Sequence, residues 1–221
     1  YIFLNEEEKD KSIFRKEKDI IIPNGIENMH ENISLKDKNN SEIVIYFIGR
    51  IDIKHKGLDL LLEDLKKIDN KKRNFVLNIY GPGLKTDIKY ITKKIKDFKN
   101  LKIFYKGPIY DEDKYKMLKK SNIMILTSRY EGFPMTVLEA LYFGNPCIVS
   151  EGTNVSKLIQ NNNLGWSVGK NGISETLLYA IDDYLSKKES YVFKTRDFIL
   201  NNYDWEIISN KSVNLLKEGN R

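Results

Sequence analysis

The stretch from Ser128 to Ser150 constrains this chain more than any other. An apolar run, Ile123-Met124-Ile125-Leu126, precedes it and suits a buried strand. Pro146-Cys147-Ile148-Val149 closes it and suits another. Between the two, Pro134 can open a helix, because its φ is already helical and a first helical residue needs no N–H. Apolar residues at 135, 138, 141 and 142 fall at helical spacing, and Gly144 supplies the stop. Strand, loop, helix and strand in that order make one unit of a parallel α/β sheet.

That unit sets two carboxylates on either side of a helix N-terminus. Glu131 lies in the loop at the strand's end. Glu139 follows about two turns' rise away, at ~1.5 Å per residue, on the helix flank. The amides of Met135, Thr136 and Val137 are expected to lack intrahelical acceptors. They point out of an end carrying about half a positive charge, which suits a phosphate. Carboxylates flanking such a site can hold hydroxyls on both sides of it. A nucleotide sugar presents hydroxyl, phosphate and hydroxyl in that order.

Glu131-Gly132-Phe133-Pro134 followed by Glu139-Ala140-Leu141 resembles the E-x7-E signature of retaining glycosyltransferases of the GT-B fold, the large GT4 group in particular. The resemblance implies that Glu131 contacts the transferred sugar, aided by the loop Gly132-Phe133-Pro134. It implies that the amides of Met135, Thr136 and Val137 hold the diphosphate and that Glu139 binds the ribose hydroxyls. It spans about Asp19 to Leu216.

Upstream motifs fit the same plan. Asp19 to Ile26 reads as a short strand closed by the Asn24-Gly25 turn, since both residues tolerate positive φ. The resemblance sets Asn24 and Gly25 at the cleft near the phosphates. Ile43 to Ile48 is a continuous apolar run, as expected of a central parallel strand. Gly49-Arg50 follows, then Lys56-Gly57 and a helix from Leu58 to Ile68. In open α/β sheets ligands bind at the carboxyl ends of strands, where two cations can neutralise a leaving diphosphate. The resemblance assigns that task to Arg50 and Lys56.

Phe75 to Tyr80 is the next strand. Gly81-Pro82-Gly83 follows, and the resemblance makes Gly81 part of the cleft lining. An amphipathic helix runs from Leu84 to Phe98. Leu101 to Tyr105 alternates less cleanly and reaches Gly107-Pro108-Ile109, whose main chain sits against the nucleobase in the family. Past Ser150 the pattern gives a helix over 156–160, a strand over 164–168, a helix over 174–185 and a closing helix from Tyr203 to Leu216. Trp205 reads as core or interdomain packing. Four or five buried strands alternate with helices, which makes a doubly wound, Rossmann-like α/β sheet.

Asp111-Glu112-Asp113 formally matches D-x-D, a metal-binding signature. Its place at the start of a helix running to Lys120 favours a structural role instead, with Asp111 as cap. His30 and His55 lack Cys or acidic partners at ligand spacing and read as exposed. No metal and no cofactor is expected; a nucleotide sugar is the substrate. Cys147, the single cysteine, reads as a small core residue in a reducing compartment.

The chain has 221 residues with a formal net charge of +6, and no run approaches the ~20 apolar residues of a membrane span. Basic residues look spread along the chain, which argues against nucleic acid and for a solvated lysine-rich surface. A mild attraction to anionic membranes is compatible with them. Residues 1–18 are mostly charged and show no strand, so they read as a remnant or linker from a missing N-terminal domain. Residues 19–187 read as the nucleotide-sugar-binding domain, the C-terminal half of a GT-B enzyme. Residues 188–221 read as closing helices that brace the missing domain.

The expected function is donor binding in a retaining hexosyltransferase that moves sugar from a UDP-sugar to an acceptor hydroxyl. The expected setting is bacterial capsular polysaccharide, exopolysaccharide or lipopolysaccharide synthesis. The acceptor is a glycan or lipid-linked glycan, and the location is cytoplasmic or peripheral at the inner face of the plasma membrane. The chain alone is expected to be inactive. The alternative is a non-catalytic sugar-nucleotide-binding or assembly subunit, which a departure at Arg50, Lys56 or Glu139 would have favoured.

Overall fold

The computed structural model describes residues 1–13, 19–28, 34–38, 42–170 and 172–219. In chain order these form β1 (Ile2–Phe3), α1 (Glu6–Lys11), β2 (Ile20–Ile21), β3 (Ile43–Ile48), α2 (Leu58–Leu65) and β4 (Phe75–Tyr80). Next come α3 (Lys85–Lys96), β5 (Lys102–Gly107), α4 (Asp111–Lys120), β6 (Ile123–Leu126), α5 (Met135–Tyr142) and β7 (Cys147–Val149). The chain closes with α6 (Ser156–Asn161), β8 (Gly165–Ser167), α7 (Ile173–Asn202) and α8 (Trp205–Gly219). His30 lies outside the described residues.

Six strands form one wholly parallel sheet in the order β5-β4-β3-β6-β7-β8. This is the doubly wound arrangement, with the direction of winding reversing between β3 and β6. The central strands are apolar because helices cover both faces: β6 and β7 are buried throughout, and so is β3 except at Val44. β5 alternates because it is an edge, sending Lys102, Phe104 and Lys106 outward.

Tyr46 is buried at the middle of β3, and its hydroxyl accepts from Asn145 Nδ2 at 3.1 Å. Cys147 is buried as expected, and burial pushes its thiol pKa up, which keeps it protonated and unreactive. Gly144, at φ +73, ends α5 in the left-handed conformation, its amide returning to Leu141 O at 3.0 Å. A β-carbon there would come within 3.0 Å of Val192 on α7, so the helix stop is also a packing contact.

Several expectations change. The first residues are not strandless: β1 pairs in parallel with β2, Ile2 opposite Ile20 and Phe3 opposite Ile21. Asn5 caps α1 by accepting from Glu8 N at 2.7 Å, while Glu8 Oε2 accepts from Leu4 N at 2.6 Å. That reciprocal arrangement follows from Asn-x-x-Glu in the sequence. Glu7 then accepts from Lys157 N at 2.9 Å, fixing α1 to α6.

α7 runs from Ile173 to Asn202 but breaks its helical geometry at Lys187, φ −130, where the helix expected over 174–185 gives way to the closing helices expected from 188. Its second half packs on α5, with the Arg196 guanidinium 4.4 Å from the Tyr142 ring and donating to Tyr142 O at 3.0 Å. Asp111 does not cap α4. It is the first helical residue, at φ +46, after Tyr110, and no side-chain cap bond forms. Glu112 and Asp113 pair instead with Lys116 at 3.4 and 3.5 Å.

Candidate active site

The point where the winding reverses brings together the carboxyl ends of β3 and β6, and most of the expected residues lie there. Gly49 and Arg50 leave β3, and Lys56 stands just before α2. Ser128 to Gly132 leave β6 and lead into α5. Gly57, at φ +64, lets α2 approach β6 so closely that a β-carbon would fall 2.1 Å from Thr127 O. Thr127 Oγ1 in turn donates to the carbonyls of Lys56 and Gly57, each at 3.2 Å. These contacts fix the root of the Lys56 side chain.

Lys56 Nζ donates to Glu131 Oε1 at 2.6 Å, and Ser128 Oγ donates to the same oxygen at 2.6 Å. Both charged side chains are mostly shielded, 15% and 12% exposed. Their attraction is therefore less screened than that of a surface pair. The Glu131 backbone is held as well. Its amide donates to Gly152 O at 2.9 Å, and its carbonyl accepts from Asn154 Nδ2 at 2.6 Å. Asn5 Nδ2 reaches Gly132 O at 3.1 Å, so α1 also secures this loop.

Arg50 behaves differently. It is 65% exposed and leans on Asp52 and His55, each at 3.5 Å, without reaching Glu131. His55 is not the exposed histidine expected from the sequence. Its ring stacks on Tyr130 at 4.1 Å with an interplanar angle of 11°, and Nε2 lies 2.8 Å from Tyr130 O. An aromatic pair thus fixes the Arg129-Tyr130 corner against the segment carrying Lys56.

Asp59 completes the frame. Arg129 donates to both of its oxygens, at 2.8 and 3.1 Å, and Lys54 adds a bond at 2.8 Å. Burial raises the Asp59 pKa, and the hydrogen bonds from Arg129 and Lys54 override it, leaving the carboxyl lowered to about 2. Asp59 sits in the first turn of α2, one residue-pair beyond Lys56-Gly57. The bidentate clamp therefore locks Lys56 and Glu131 into one rigid corner.

The glycine loops form a row beside that corner. Gly81 N donates to Gly107 O at 2.9 Å, and a β-carbon on Gly81 would fall 1.7 Å from Gly49 O. Gly107 needs its φ of +80 but faces open space, as a backbone wall of a cleft should. Pro108 is exposed and Ile109 half-buried beyond it. Gly25 is buried against the Trp205 ring at the start of α8, and Asn24 beside it is half-buried.

At α5, Pro134 is the cap residue and the helix begins at Met135. Val137 is not a free donor as expected, because its amide bonds Pro134 O at 3.0 Å. Among the described residues the amides of Met135 and Thr136 have no acceptor, and they remain for an anion. Phe133 turns its ring into the core against Tyr203, at 5.7 Å, and offers only backbone to a ligand. Glu139 meets Lys114 of α4, Nζ to Oε1 at 2.7 Å. Ser128, Asn154, Asp59, Arg129 and Lys114 were not singled out from the sequence. Ser128 lies three positions from Glu131, but the other contacts are made across 23 to 70 positions, which no local pattern announces.

A family model described as glycosyl transferases group 1 matches residues 28–202. The chain belongs to that family. A glycosyltransferase of Methanocaldococcus jannaschii is 27% identical over 195 residues, covering 86% of this chain and 48% of that protein. The poly(ribitol-phosphate) alpha-N-acetylglucosaminyltransferase of Staphylococcus aureus is 28% identical over 181 residues, covering 79% and 35%. The chain thus spans about half or less of the length of these curated relatives.

Among solved structures, S. aureus TarM in complex with fondaparinux, alpha-GlcNAc-glycerol and UDP aligns with a TM-score of 0.78 at 26% identity. That alignment covers 97% of this chain and 43% of the other. Anabaena HepE in complex with UDP shares the fold, with a TM-score of 0.80 at 16% identity over 98% of this chain and 63% of that one. The glycosyltransferase domain is α/β and Rossmann-like, within the GT-B class. Among the described residues no cluster of three His, Cys, Asp or Glu side chains could hold a metal ion, and no helix is long and apolar enough to cross a membrane.

Proposed function

We propose that this chain is the donor-binding domain of a retaining, GT4-type glycosyltransferase that uses a nucleoside diphosphate sugar, a UDP-sugar by preference. The sugar passes to an acceptor hydroxyl in surface polysaccharide synthesis. The observation that carries this reading is the Lys56–Glu131 pair at the winding reversal, beside the open amides of Met135 and Thr136.

The diphosphate occupies the α5 N-terminus, where Lys56 turns from Glu131 to the phosphate oxygens. Arg50, exposed and loosely held, closes from the other side. Two cations then stabilise the negative charge that develops on the leaving diphosphate, and no divalent metal is needed. Glu131, released from Lys56 but still bonded by Ser128, accepts from hydroxyls of the transferred sugar. Glu139 accepts from the ribose with the oxygen that Lys114 leaves open. Turnover needs an opposing domain to supply acceptor contacts and exclude water.

The TarM complex with UDP supports the choice of base. The setting is supported by relatives such as the Campylobacter jejuni N-acetyl-D-galactosaminyltransferase acting on an undecaprenol-linked glycan, 30% identical over 63% of this chain, and the Escherichia coli lipopolysaccharide 1,6-galactosyltransferase. Calorimetry with UDP, GDP and ADP in the presence of EDTA tests the reading. UDP should bind best with the chelator present; binding that vanished with EDTA would refute the metal-free site.

A further inference from the structure

Charge is concentrated in this chain, contrary to the even spread read from the sequence. Residues 66 to 106 hold 13 Lys and Arg against 3 Asp and Glu, a balance of +10 where the whole chain carries +6. The remainder is net acidic. The fold gathers that segment at one edge of the sheet, because β5 is the last strand and α3 connects it to β4. The turn after α2 joins them: Asp69 accepts from the amides of Lys99, Asn100 and Leu101 at 2.8 to 2.9 Å. Lys66 lies 4.7 Å from the Phe98 ring.

Along α3, Lys85, Lys89, Lys93 and Lys96 recur every three or four residues and are all exposed, while Ile91 faces the core. They form one stripe. Among the described residues none of the four makes an ion pair. Like charges one turn apart repel on an isolated helix, and an anionic surface relieves that repulsion. One exposed apolar side chain, Leu84 at 72%, stands at the head of the stripe, immediately before α3.

We propose that the outer face of α3, at this edge of the sheet, docks on an anionic lipid bilayer. Lysine suits headgroups approached as a diffuse surface charge, whereas nucleic-acid phosphates are more often gripped by the arginine fork. Of the 13 cations only Arg73 is an arginine, and it is half-buried. An exposed leucine beside the stripe has no partner on a phosphate backbone, but it can enter the headgroup boundary. Leu84 follows the Gly81 loop, so the docking face runs up to the candidate cleft. A membrane-borne acceptor would then lie beside it; that corollary rests on the proposed function, and the docking itself does not.

Flotation of the 221-residue chain with phosphatidylcholine vesicles containing roughly a third phosphatidylglycerol, against pure phosphatidylcholine, tests the proposal. Binding should need the anionic lipid and should fade as salt shortens the screening length from about 10 Å to about 3 Å. Each lysine near such a surface contributes about fivefold, so Lys85→Gln, Lys89→Gln, Lys93→Gln and Lys96→Gln together should lower partitioning on the order of a hundredfold or more. The same exchange at Lys170, Lys194, Lys211 and Lys217 should change it far less. Leu84→Ser should weaken binding while keeping its salt dependence. Equal loss from the two lysine sets, absence of binding to the anionic vesicles, or displacement from them by duplex RNA through the same stripe would each overturn the proposal.

Discussion

Asp59→Asn removes a charge that holds the site together without removing anything expected to touch a ligand. The Asp59 side chain is only 6% exposed and takes two bonds from Arg129 and one from Lys54. Its pKa, raised by burial but lowered further by those bonds, stands at about 2 against an ordinary value of 3.8. The difference is worth about 2 kcal/mol at neutral pH. The folded value lies below the unfolded one. The contribution is therefore complete above the ordinary carboxylate range and is lost as pH falls toward 2.

Urea unfolding at pH 7 should show Asp59→Asn less stable by about 2 kcal/mol, with Tm lower by about 4–8 °C for a chain of this size. Near pH 3 the gap should shrink to about 1 kcal/mol. A double-mutant cycle with Arg129→Met should return a coupling of about 1–3 kcal/mol. Equal stabilities at pH 7, or a gap that stays constant down to pH 3, would refute the clamp.

Two other substitutions follow from the same corner. Gly57→Ala should destabilise the fold by about 1–3 kcal/mol in urea melts and weaken nucleotide binding, because the residue is at φ +64 and its β-carbon would strike Thr127 O beside Lys56. Asn154→Ala gives up a left-handed φ of +55 and the bond to Glu131 O. It should cost about 1–2 kcal/mol of stability and lower calorimetric affinity for the nucleotide sugar more than for the free nucleotide.

Much of this was legible in the sequence for a physical reason. β3 and β6 are unbroken apolar runs and β4 is apolar except for Asn78, and the limits of all three match the expected ones. The Pro134-to-Gly144 helix is bounded by residues whose backbone preferences act at short range. The loops carrying Arg50, Lys56 and Glu131 follow from being next to those strands. What depended on distant partners was hidden. β1 is two residues long and exists only by pairing across 18 positions with β2, which lies within the strand read over Asp19 to Ile26. The segment after Lys187 reads as helical, but the sequence does not show its packing of Val192 and Arg196 on α5. Asp59 with Arg129, and Lys114 with Glu139, are ordinary charged residues until the fold joins them. Val137 was misassigned because the first turn of α5 tightens onto Pro134 O.

The central claim is that Glu139 serves the nucleoside and Glu131 the sugar. Calorimetry on the intact chain, Glu139→Ala and Glu131→Ala, each titrated with UDP and with a UDP-sugar, tests it directly. Glu139→Ala should weaken both ligands alike, by about 1.5–3 kcal/mol or roughly ten- to a hundredfold. Glu131→Ala should leave UDP as tight or slightly tighter, since Lys56 loses its 2.6 Å partner and becomes free for the diphosphate. The same substitution should weaken the UDP-sugar. Two correctly folded variants that respond identically to nucleotide and nucleotide sugar would contradict the division of roles, and two that bind both as the intact chain does would show that the site lies elsewhere.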